Sequence, residues 1–281
     1  MTSAPLIINL APTGMVPNRG QSPHVPIAPA EIVADVCGCI DLGVSMVHLH
    51  AREPDGNPST DRRIYAEIIA GIRSRHPDTV IVVTTSGRRV GDVERRADVL
   101  WLAGDVKPDM ASLTLGSMNF ATEASVNPPA TILRLAEIMR ERGIKPELEV
   151  FDLGMVNYAR YMIDRGLLTP PYYFNILLGN VGTAQASLLP LAVMLGELPS
   201  QSYFSLAGMG RFQAQAVALG AVLGHGIRTG LEDNLWRDAQ RTRLARNADL
   251  VQTALGIASA LGRPVATAAQ TRAWLALEPR A

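Results

Sequence analysis

The sequence predicts one (β/α)8 barrel that spans the whole chain, residues 1–281. Apolar, β-branched runs recur about every 30 residues, which is the length of one strand–helix unit. Several runs lack polar alternation, as is typical of parallel strands covered on both faces. A helical pattern follows each run, and this alternation indicates a closed barrel. The length and the 47% content of hydrophobic residues suit one such domain.

The predicted elements follow one another regularly along the chain. Strands are predicted at residues 6–10, 46–51, 79–85, 110–115, 146–151, 172–178, 202–207 and 226–231. Helical patterns are clearest at residues 30–42, 61–75, 129–142, 154–165 and 211–223. Pro29 and Asp61 suit helix starts, because proline fits the first turn and aspartate accepts hydrogen bonds from free backbone N–H groups. Glycine, which favours the left-handed C-cap, follows four of these helices, at Gly43, Gly143, Gly166 and Gly224.

An open, doubly wound sheet is the alternative fold. It is the weaker prediction, because residues 11–14 after the first strand lack the spacing of a glycine-rich dinucleotide turn. The loop at residues 11–28 is long and rich in proline. In a barrel, a loop after the first strand lies at the carboxyl-terminal face, where it can act as a lid.

Composition excludes several classes of function. Lys+Arg and Asp+Glu number 26 each, so charge alone does not recruit nucleic acid or an anionic membrane. Cys37 and Cys39 point to different faces of a helix, so we expect no disulfide between them. Polar residues and a proline interrupt the most apolar stretch, residues 176–196, and no signal segment is recognisable. We therefore expect a reducing, cytoplasmic location.

The chain has only two lysines, Lys107 and Lys145. They precede the fourth and fifth predicted strands and therefore belong to the amino-terminal face of the barrel. Barrel enzymes carry their active sites at the opposite face. This placement argues against an aldolase that forms an imine on lysine.

His48 and His50 lie at the end of the second predicted strand. Residues two apart on a strand point to the same face, so both imidazoles aim together. Such a pair binds a divalent metal well, although it can also be structural. The position at a barrel strand end favours the metal.

A third metal ligand is available at the end of the eighth strand. Arg228 and Glu232 are four residues apart, so on a strand their side chains point to the same face, and Glu232 is at the carboxyl end. Two histidines and one carboxylate leave coordination positions open for a substrate. The alternative is that Glu232 and Asp233 form an acidic cap for the following helix, and one of them can do so while the other faces the metal.

Other polar residues occupy strand ends. Thr84 ends the third strand, and Ser112 and Thr114 lie on the fourth; hydroxyls there can bind a carboxylate or carbonyl group. Glu149 lies inside the fifth strand, where it must pair with an arginine or support a ligand histidine. Arg88 and its neighbour Arg89 either meet an anionic substrate group or form a solvated surface.

Several motifs occur in a fixed order. They are VHLHARE at 47–53, DGNPS at 55–59, MASL at 110–113, GSMNF at 116–120, PELEV at 146–150, AGMGR at 207–211 and IRTGLEDN at 227–234. With them the chain resembles the β-keto acid cleavage enzyme family over nearly its whole length. The resemblance implies a homo-oligomeric barrel that carries Zn2+ and condenses a β-keto acid with acetyl-CoA, giving acetoacetate and a new acyl-CoA.

The resemblance also implies roles for individual residues. Zinc falls on His48, His50 and Glu232. The catalytic base falls on Asp233, assisted by Arg228 and by the hydroxyl of Thr84, where the family often has serine. The implied substrate contacts are Thr84, Gly87, Ser112 and Thr114. Family members that act on an amino-substituted keto acid hold its ammonium group with a glutamate of the first loop, and the matching residue here is Val16. We therefore expect a substrate with a neutral or anionic distal group.

Two other functions stay open at this point. A metal-dependent aldolase or acyl-CoA lyase would cleave its substrate without an acetyl-CoA acceptor. A non-catalytic metal-binding barrel would need no base beside the metal, so Arg228 and Asp233 next to the ligands argue against it.

Overall fold

The computed structural model describes residues 4–280. In that range eight parallel strands close into a barrel in which each strand pairs with its neighbours in chain order. They are β1 Ile7–Leu10, β2 Met46–Leu49, β3 Val80–Val83, β4 Met110–Thr114, β5 Lys145–Val150, β6 Tyr172–Leu178, β7 Ser202–Gly208 and β8 Gly226–Thr229. The predicted barrel is confirmed. The open-sheet alternative is wrong, because β1 pairs with both β2 and β8.

Helices cover the outside of the barrel. They are α1 Pro29–Asp41, α2 Arg62–Arg73, α3 Val93–Ala97, α4 Pro129–Arg142, α5 Leu153–Asp164, α6 Leu188–Gly196, α7 Gln213–Leu223, α8 Asn247–Ala260 and α9 Ala268–Trp274. Pro29 opens α1, and the Asp61 carboxylate accepts a hydrogen bond from the backbone N–H of Arg63. In residues 4–280 no helix is long and apolar enough to cross a membrane.

The glycines that follow the helices have two different reasons to be there. Gly43, Gly143 and Gly166 adopt φ angles of 122°, 60° and 68°, which side chains disfavour. The expectation of a left-handed cap at Gly224 is wrong, because its φ is −95°. A Cβ on Gly224 would lie 2.9 Å from the carbonyl oxygen of Gly220, so close packing requires the glycine there.

The barrel interior changes character along its axis. Its amino-terminal layer is apolar and includes the first residues of β1 to β4, namely Ile7, Met46, Val80 and Met110. Leu275, just after α9, packs into the same cluster and closes this end. Two residues further along β1, β2 and β4 the inward-facing side chains are polar and buried, whereas β3 continues with the apolar Val82. Polar side chains of the barrel interior therefore lie above the apolar layer, towards the carboxyl-terminal mouth.

The long first loop lies where the sequence predicts it, at the carboxyl-terminal mouth. The buried Arg52 guanidinium donates hydrogen bonds to the carbonyl oxygens of Gly14, at 2.7 Å, and Pro17, at 2.6 Å. Loop residues Met15 and Val16 line the same cavity as His48. Arg52 thus holds this loop against the mouth of the barrel.

Candidate active site

The two histidines of β2 converge at the centre of the barrel mouth. His48 lies on the strand, and His50 follows its last residue. Both rings are buried, and their Nε2 atoms are 3.3 Å apart. The period-two geometry of the strand therefore brings the two imidazoles together as the sequence predicts.

Glu232 completes this group from the turn after β8. Its Oε1 lies 3.2 Å from Nε2 of His50 and 2.7 Å from Nη2 of Arg228. Gly14, with φ of +60°, gives Glu232 its space, because a Cβ there would lie 2.5 Å from the glutamate Cγ. The first loop and the last strand are therefore fitted to each other at this side chain.

Asp233 faces Arg228 rather than a helix. Nε of Arg228 is 2.9 Å from Oδ2 of Asp233, and Nη2 is 3.0 Å from Oδ1, a bidentate pair in which both side chains are buried. The alternative of an acidic helix cap is wrong for Asp233 and for Glu232, because the next helix begins only at Asn247. Both carboxylates of the turn are directed into the site.

Glu147 orients His48 from inside the barrel. Its Oε2 lies 2.6 Å from Nδ1 of His48. Its Oε1 accepts hydrogen bonds from Nδ2 of Asn9, at 2.8 Å, and of Asn175, at 3.3 Å. An ionised carboxylate only accepts, so Nδ1 of His48 carries a proton and Nε2 is left to face His50.

Glu149 takes the first of its two predicted roles, pairing with an arginine. Its Oε1 is 3.5 Å from Nη1 of Arg228, and its Oε2 accepts a hydrogen bond of 2.7 Å from the Thr114 hydroxyl. Arg228 therefore contacts three carboxylates, those of Glu149, Glu232 and Asp233.

A cavity of about 390 Å³ opens at the carboxyl-terminal mouth of the barrel. Thr84 and Thr114 line it together with the histidines and with Arg228, Glu232 and Asp233. A larger cavity of about 1050 Å³ lies at the amino-terminal end, and it includes Lys107 and Lys145. Both lysines are therefore remote from the candidate site, as the sequence predicts.

Two of the predicted substrate contacts lie behind the cavity wall. Ser112 is buried and accepts a hydrogen bond of 3.1 Å from the backbone N–H of Thr85. Gly87 packs against the Arg96 side chain, where a Cβ would come within 2.3 Å of Nη1. Neither residue is among those that line the cavity. Their substrate roles stay predictions.

Arg88 faces the cavity, whereas Arg89 is exposed. The Arg88 guanidinium lies 3.8 Å above the Phe120 ring centroid, and its Nε is 2.7 Å from Oε1 of Glu123. Burial lowers the pKa of Arg88. Arg88 is therefore a cation held at the wall of the cavity rather than part of a freely solvated surface.

The electrostatics of the site follow from burial and from Arg228. Burial raises the pKa values of Asp233 and Glu149. Burial also acts to raise that of Glu232, but Arg228 outweighs it and holds the pKa well below its usual range. Burial opposes the charge of Arg228, yet Asp233 and Glu232 raise its pKa well above the ordinary value. Arg228 is therefore a permanent cation.

The histidines differ in their electrostatic surroundings. Burial lowers the pKa of His50. Burial acts in the same direction on His48, but the charge of Glu147 outweighs it and raises the pKa. For Glu147 the effect of burial is likewise outweighed, and contact with His48 lowers its pKa. The His48–Glu147 pair is therefore strongly polarised.

The donor set fits a divalent metal ion. His48, His50 and Glu232 each offer one ligand atom, all within 4.8 Å of one another. Ligand atoms about 2.0–2.2 Å from a tetrahedral metal lie about 3.3–3.6 Å apart, close to the observed 3.3 and 3.2 Å. Oε2 of Glu232 is buried without a hydrogen-bond partner among the described residues. A cation there would also offset the buried carboxylates that share Arg228.

A second set of three possible ligands consists of His48, Glu147 and Glu149. It fits less well, because the Glu147 oxygens already accept hydrogen bonds from His48 and two asparagines. Glu147 also does not line the cavity, so a metal on it would be shielded from substrate. We therefore assign Glu147 the outer position that supports a ligand histidine.

Sequence reasoning missed three members of the site: Asn9, Glu147 and Asn175. The available signal was the spacing of Glu147 and Glu149, which puts both on the inner face of β5. A buried charge in a strand needs a partner, and this requirement applies to both glutamates equally. The asparagines lie on β1 and β6, remote in sequence, and carried no signal of their own.

The chain is similar to known proteins over nearly its whole length. A family model described as beta-keto acid cleavage enzyme matches residues 5–277. The 3-keto-5-aminohexanoate cleavage enzyme of Fusobacterium nucleatum is 37% identical over 277 residues, covering 97% of this chain and 98% of that protein. The 3-oxoadipate:acetyl-CoA acetyltransferase of Cupriavidus necator is 37% identical over 276 residues, covering 97% and 95%.

Two further similarities are more distant. The 3-dehydrocarnitine:acetyl-CoA trimethylamine transferase of Rhizobium meliloti is 31% identical over 295 residues, covering 98% of this chain and 97% of that protein. The apo structure of ObcA matches with a TM-score of 0.76 and 23% identity, covering 91% of this chain and 66% of ObcA, and shows a shared fold. The match over residues 5–277 and the full-length relatives lead to one conclusion: the chain belongs to the β-keto acid cleavage enzyme family, a family of acyl-transferring enzymes.

Proposed function

We propose that this chain is a zinc-dependent enzyme that condenses a β-keto acid with acetyl-CoA, giving acetoacetate and a new acyl-CoA. The main support is the buried Asp233 carboxylate, which Arg228 holds next to the possible metal ligands His48, His50 and Glu232. A base beside a metal site is the arrangement needed to ionise a carbon acid. Relatives named as acetyl-CoA transferases support the choice of acceptor.

Zinc is the metal that best suits two imidazoles and one carboxylate with an open position. We infer that His48, His50 and Glu232 hold it. When bound, zinc polarises the keto and carboxylate oxygens of the substrate and so increases the acidity of C2. Glu147 contributes by fixing the ring of His48 through Nδ1.

The reaction then follows from the chain's own groups. Asp233 removes a proton from C2 of the keto acid, and Arg228 stabilises the charge of the site. The C2 carbanion attacks the carbonyl carbon of acetyl-CoA, a C–C bond forms, and the CoA thiolate leaves. The thiolate attacks the former keto carbon, the bond from that carbon to C2 breaks, and a new acyl-CoA results. Protonated Asp233 returns its proton to C2 of the departing acetoacetate.

Two threonine hydroxyl groups in the cavity are available to contact the substrate. Thr84 lines the cavity, and its oxygen accepts a hydrogen bond of 3.1 Å from the backbone N–H of Ser86. Its own proton is therefore available for a substrate oxygen or for Asp233. Thr114 donates to Glu149 and can accept from substrate. With Gly87 and Ser112, whose roles stay predictions, these residues form the proposed substrate-contact set.

We infer that the distal group of the keto acid is neutral or anionic. Every carboxylate that lines the cavity, namely Glu149, Glu232 and Asp233, already lies within 4.0 Å of Arg228, so none is spare for a cation. Val16 offers an apolar contact, and Arg88, whose charge is partly offset by Glu123, lines the wall. Burying a cation without a partner carries a large penalty. The expected preference is therefore a dicarboxylic or alkyl β-keto acid.

The homo-oligomer implied by the family resemblance is also a proposal. Helix α6 carries exposed apolar side chains, with Leu188, Leu189 and Val193 exposed by 68%, 76% and 43%. Contact with a second copy would remove this surface from water. Light scattering of the purified chain tests the proposal, and a mass of 30.2 kDa, that of one chain, would contradict it.

One assay separates the proposed reaction from its rivals. A panel of β-keto acids is incubated with acetyl-CoA, and acetoacetate is followed. We expect acetoacetate only when acetyl-CoA is present. Cleavage that continues without acetyl-CoA would indicate an aldolase or lyase. Bound metal without turnover of any keto acid would indicate a non-catalytic barrel.

The role of Asp233 is tested by Asp233→Asn. Asparagine keeps the shape but does not accept a proton at neutral pH, so we expect activity to fall about 10²–10⁴-fold. Zinc content should stay the same, because Asp233 is not a ligand in this proposal. Near-normal turnover in this variant would mean that another group removes the proton.

A further inference from the structure

A hairpin loop at residues 235–245 covers one side of the cavity mouth. An antiparallel bridge between Trp236 and Leu244 joins its two arms. At its tip the carboxylate of Asp238 accepts hydrogen bonds from the backbone N–H of Thr242, at 3.0 Å, and from its hydroxyl, at 3.1 Å. The tip is therefore an ordered turn that can fix the direction of a side chain.

Arg241 occupies this tip in an unusual backbone conformation. Its φ is 58°, in the left-handed region that residues with a side chain seldom adopt. Arg241 is among the residues that line the cavity, and its Nη2 lies 3.5 Å from the position that a Cβ on Gly210 would occupy. The backbone N–H of Gly210 donates a 2.7 Å hydrogen bond to the carbonyl oxygen of Asp233. Arg241 therefore lies on the side of the mouth formed by Gly210, which in turn contacts the backbone of Asp233.

Arg241 differs from the other two arginines of the cavity in its partners. Arg228 contacts three carboxylates, and Nε of Arg88 lies 2.7 Å from Glu123. Among residues 4–280, Arg241 has no carboxylate within 4.0 Å, and its guanidinium makes no hydrogen bond. Arg241 is exposed, so its charge is open to solvent and to any ligand that enters the cavity. An unpaired cation held on a left-handed turn at the rim of a cavity is available for ligand binding.

We propose that Arg241 binds an anionic oxygen group, a carboxylate or a phosphate, of a substrate that enters the cavity. This inference rests on the proposed function, which supplies two sources of such a group. One is the distal carboxylate of a dicarboxylic β-keto acid, and the other is the phosphates of acetyl-CoA. The guanidinium fork suits both, because it donates two parallel hydrogen bonds to either anion.

The test compares Arg241→Gln with the unchanged protein on two matched pairs of probes. Acetyl-CoA is paired with acetyl-pantetheine, which lacks the nucleotide and all of its phosphates, and 3-oxoadipate is paired with 3-oxohexanoate, which lacks the distal carboxylate. Dissociation constants come from calorimetry and KM values from the acetoacetate assay. Arg243→Gln removes a charge from the same loop outside the cavity and serves as the control.

We expect Arg241→Gln to weaken one of the two anionic probes about 10-fold and to change little the binding of the partner that lacks the group in question, as loss of one partly exposed charge-assisted hydrogen bond predicts. Selective loss for acetyl-CoA identifies a phosphate, and selective loss for 3-oxoadipate identifies a carboxylate. Equal effects within both pairs, no effect, or the same effect in Arg243→Gln would overturn the proposal.

Folding defects are separated from binding by two more variants. Arg241→Gly removes the charge but accepts the positive φ, so it should match Arg241→Gln in binding and unfold no more easily than the unchanged protein. Arg241→Lys should retain part of the selectivity. If the unchanged protein turns over no keto acid with acetyl-CoA, the proposed function fails, while calorimetry on the same probes still decides the role of Arg241.

Discussion

Glu147→Gln is the most informative single change, because Glu147 accepts hydrogen bonds on both oxygens. Oε2 faces Nδ1 of His48 at 2.6 Å, and Oε1 faces Nδ2 of Asn9 at 2.8 Å and Nδ2 of Asn175 at 3.3 Å. Glutamine replaces one oxygen by an NH2 group, which only donates. The new NH2 group faces either Nδ1 of His48 or the Nδ2 groups of the two asparagines, so one of these neighbours must change its tautomer or turn its own amide inside a fully buried network.

The size of the effect follows from two independent estimates. A buried donor or acceptor left without a partner costs about 1–3 kcal/mol. Loss of a carboxylate that supports a ligand histidine typically weakens metal binding about 10–100-fold. At about 1.4 kcal/mol per factor of ten, these two estimates agree. We therefore expect zinc affinity to fall 10–100-fold relative to the unchanged protein.

Zinc affinity is measured by competition with a chromophoric chelator, so the result does not depend on turnover. Tyr173→Phe is the control, because it removes buried hydrogen bonds to Ser205 and Asn9 without touching His48. The double change Glu147→Gln with Asn9→Asp gives the new NH2 group an acceptor and should restore part of the affinity. Unchanged affinity in Glu147→Gln, or an equal loss in Tyr173→Phe, would refute the reasoning.

Three other predictions concern the metal site and the specificity of the cavity. The protein should bind about one zinc per chain, and His48→Ala or His50→Ala should each empty the site; full metal content in both would rule out this ligand set. Gly14→Ala should displace Glu232 and weaken zinc binding, whereas Gly56→Ala, also at positive φ but with nothing within 4 Å, should leave zinc binding unchanged. Val16→Glu should shift substrate preference toward a cationic keto acid.

The fold was predictable because each strand–helix unit repeats the same physical pattern. Uninterrupted apolar strands such as Val80–Val83 need cover on both faces, and the barrel with outer helices supplies it. The strand ends were predicted too far along, at Ala51 and at Thr85. Ala51 and Thr85 continue the sequence pattern of the strand, but strand pairing in the barrel has already ended, because His50 and Thr84 belong to the rim. The periodicity of the sequence therefore does not indicate where the hydrogen bonding between strands ends.

The site was predictable where the alternation of side chains along one strand determines which residues face each other. His48 and His50 follow from their spacing, but whether Glu232 or Asp233 faces the metal depends on a turn that sequence spacing does not define. Glu147 was recognised only as part of a motif, because its partners come from β1 and β6, and long-range contacts of this kind leave no local pattern. The direction of Arg241 likewise depends on the tip of a hairpin.

Val16→Glu adds a carboxylate to a cavity whose existing carboxylates are held by Arg228. Val16 lines the wall of this cavity with Arg88 and Arg241, and it also lines an adjoining pocket with Arg19, Arg52 and Arg89, so these arginines can offset part of the new charge. A partly exposed ion pair contributes up to about 1 kcal/mol, so kcat/KM for an amino-substituted keto acid should rise about fivefold relative to a dicarboxylic one. Val16→Gln, equal in size and uncharged, is the control. A preference of the unchanged protein for the cationic substrate would contradict the assignment of a neutral or anionic distal group. The same ratio in Val16→Glu and Val16→Gln would show that this loop position does not determine specificity.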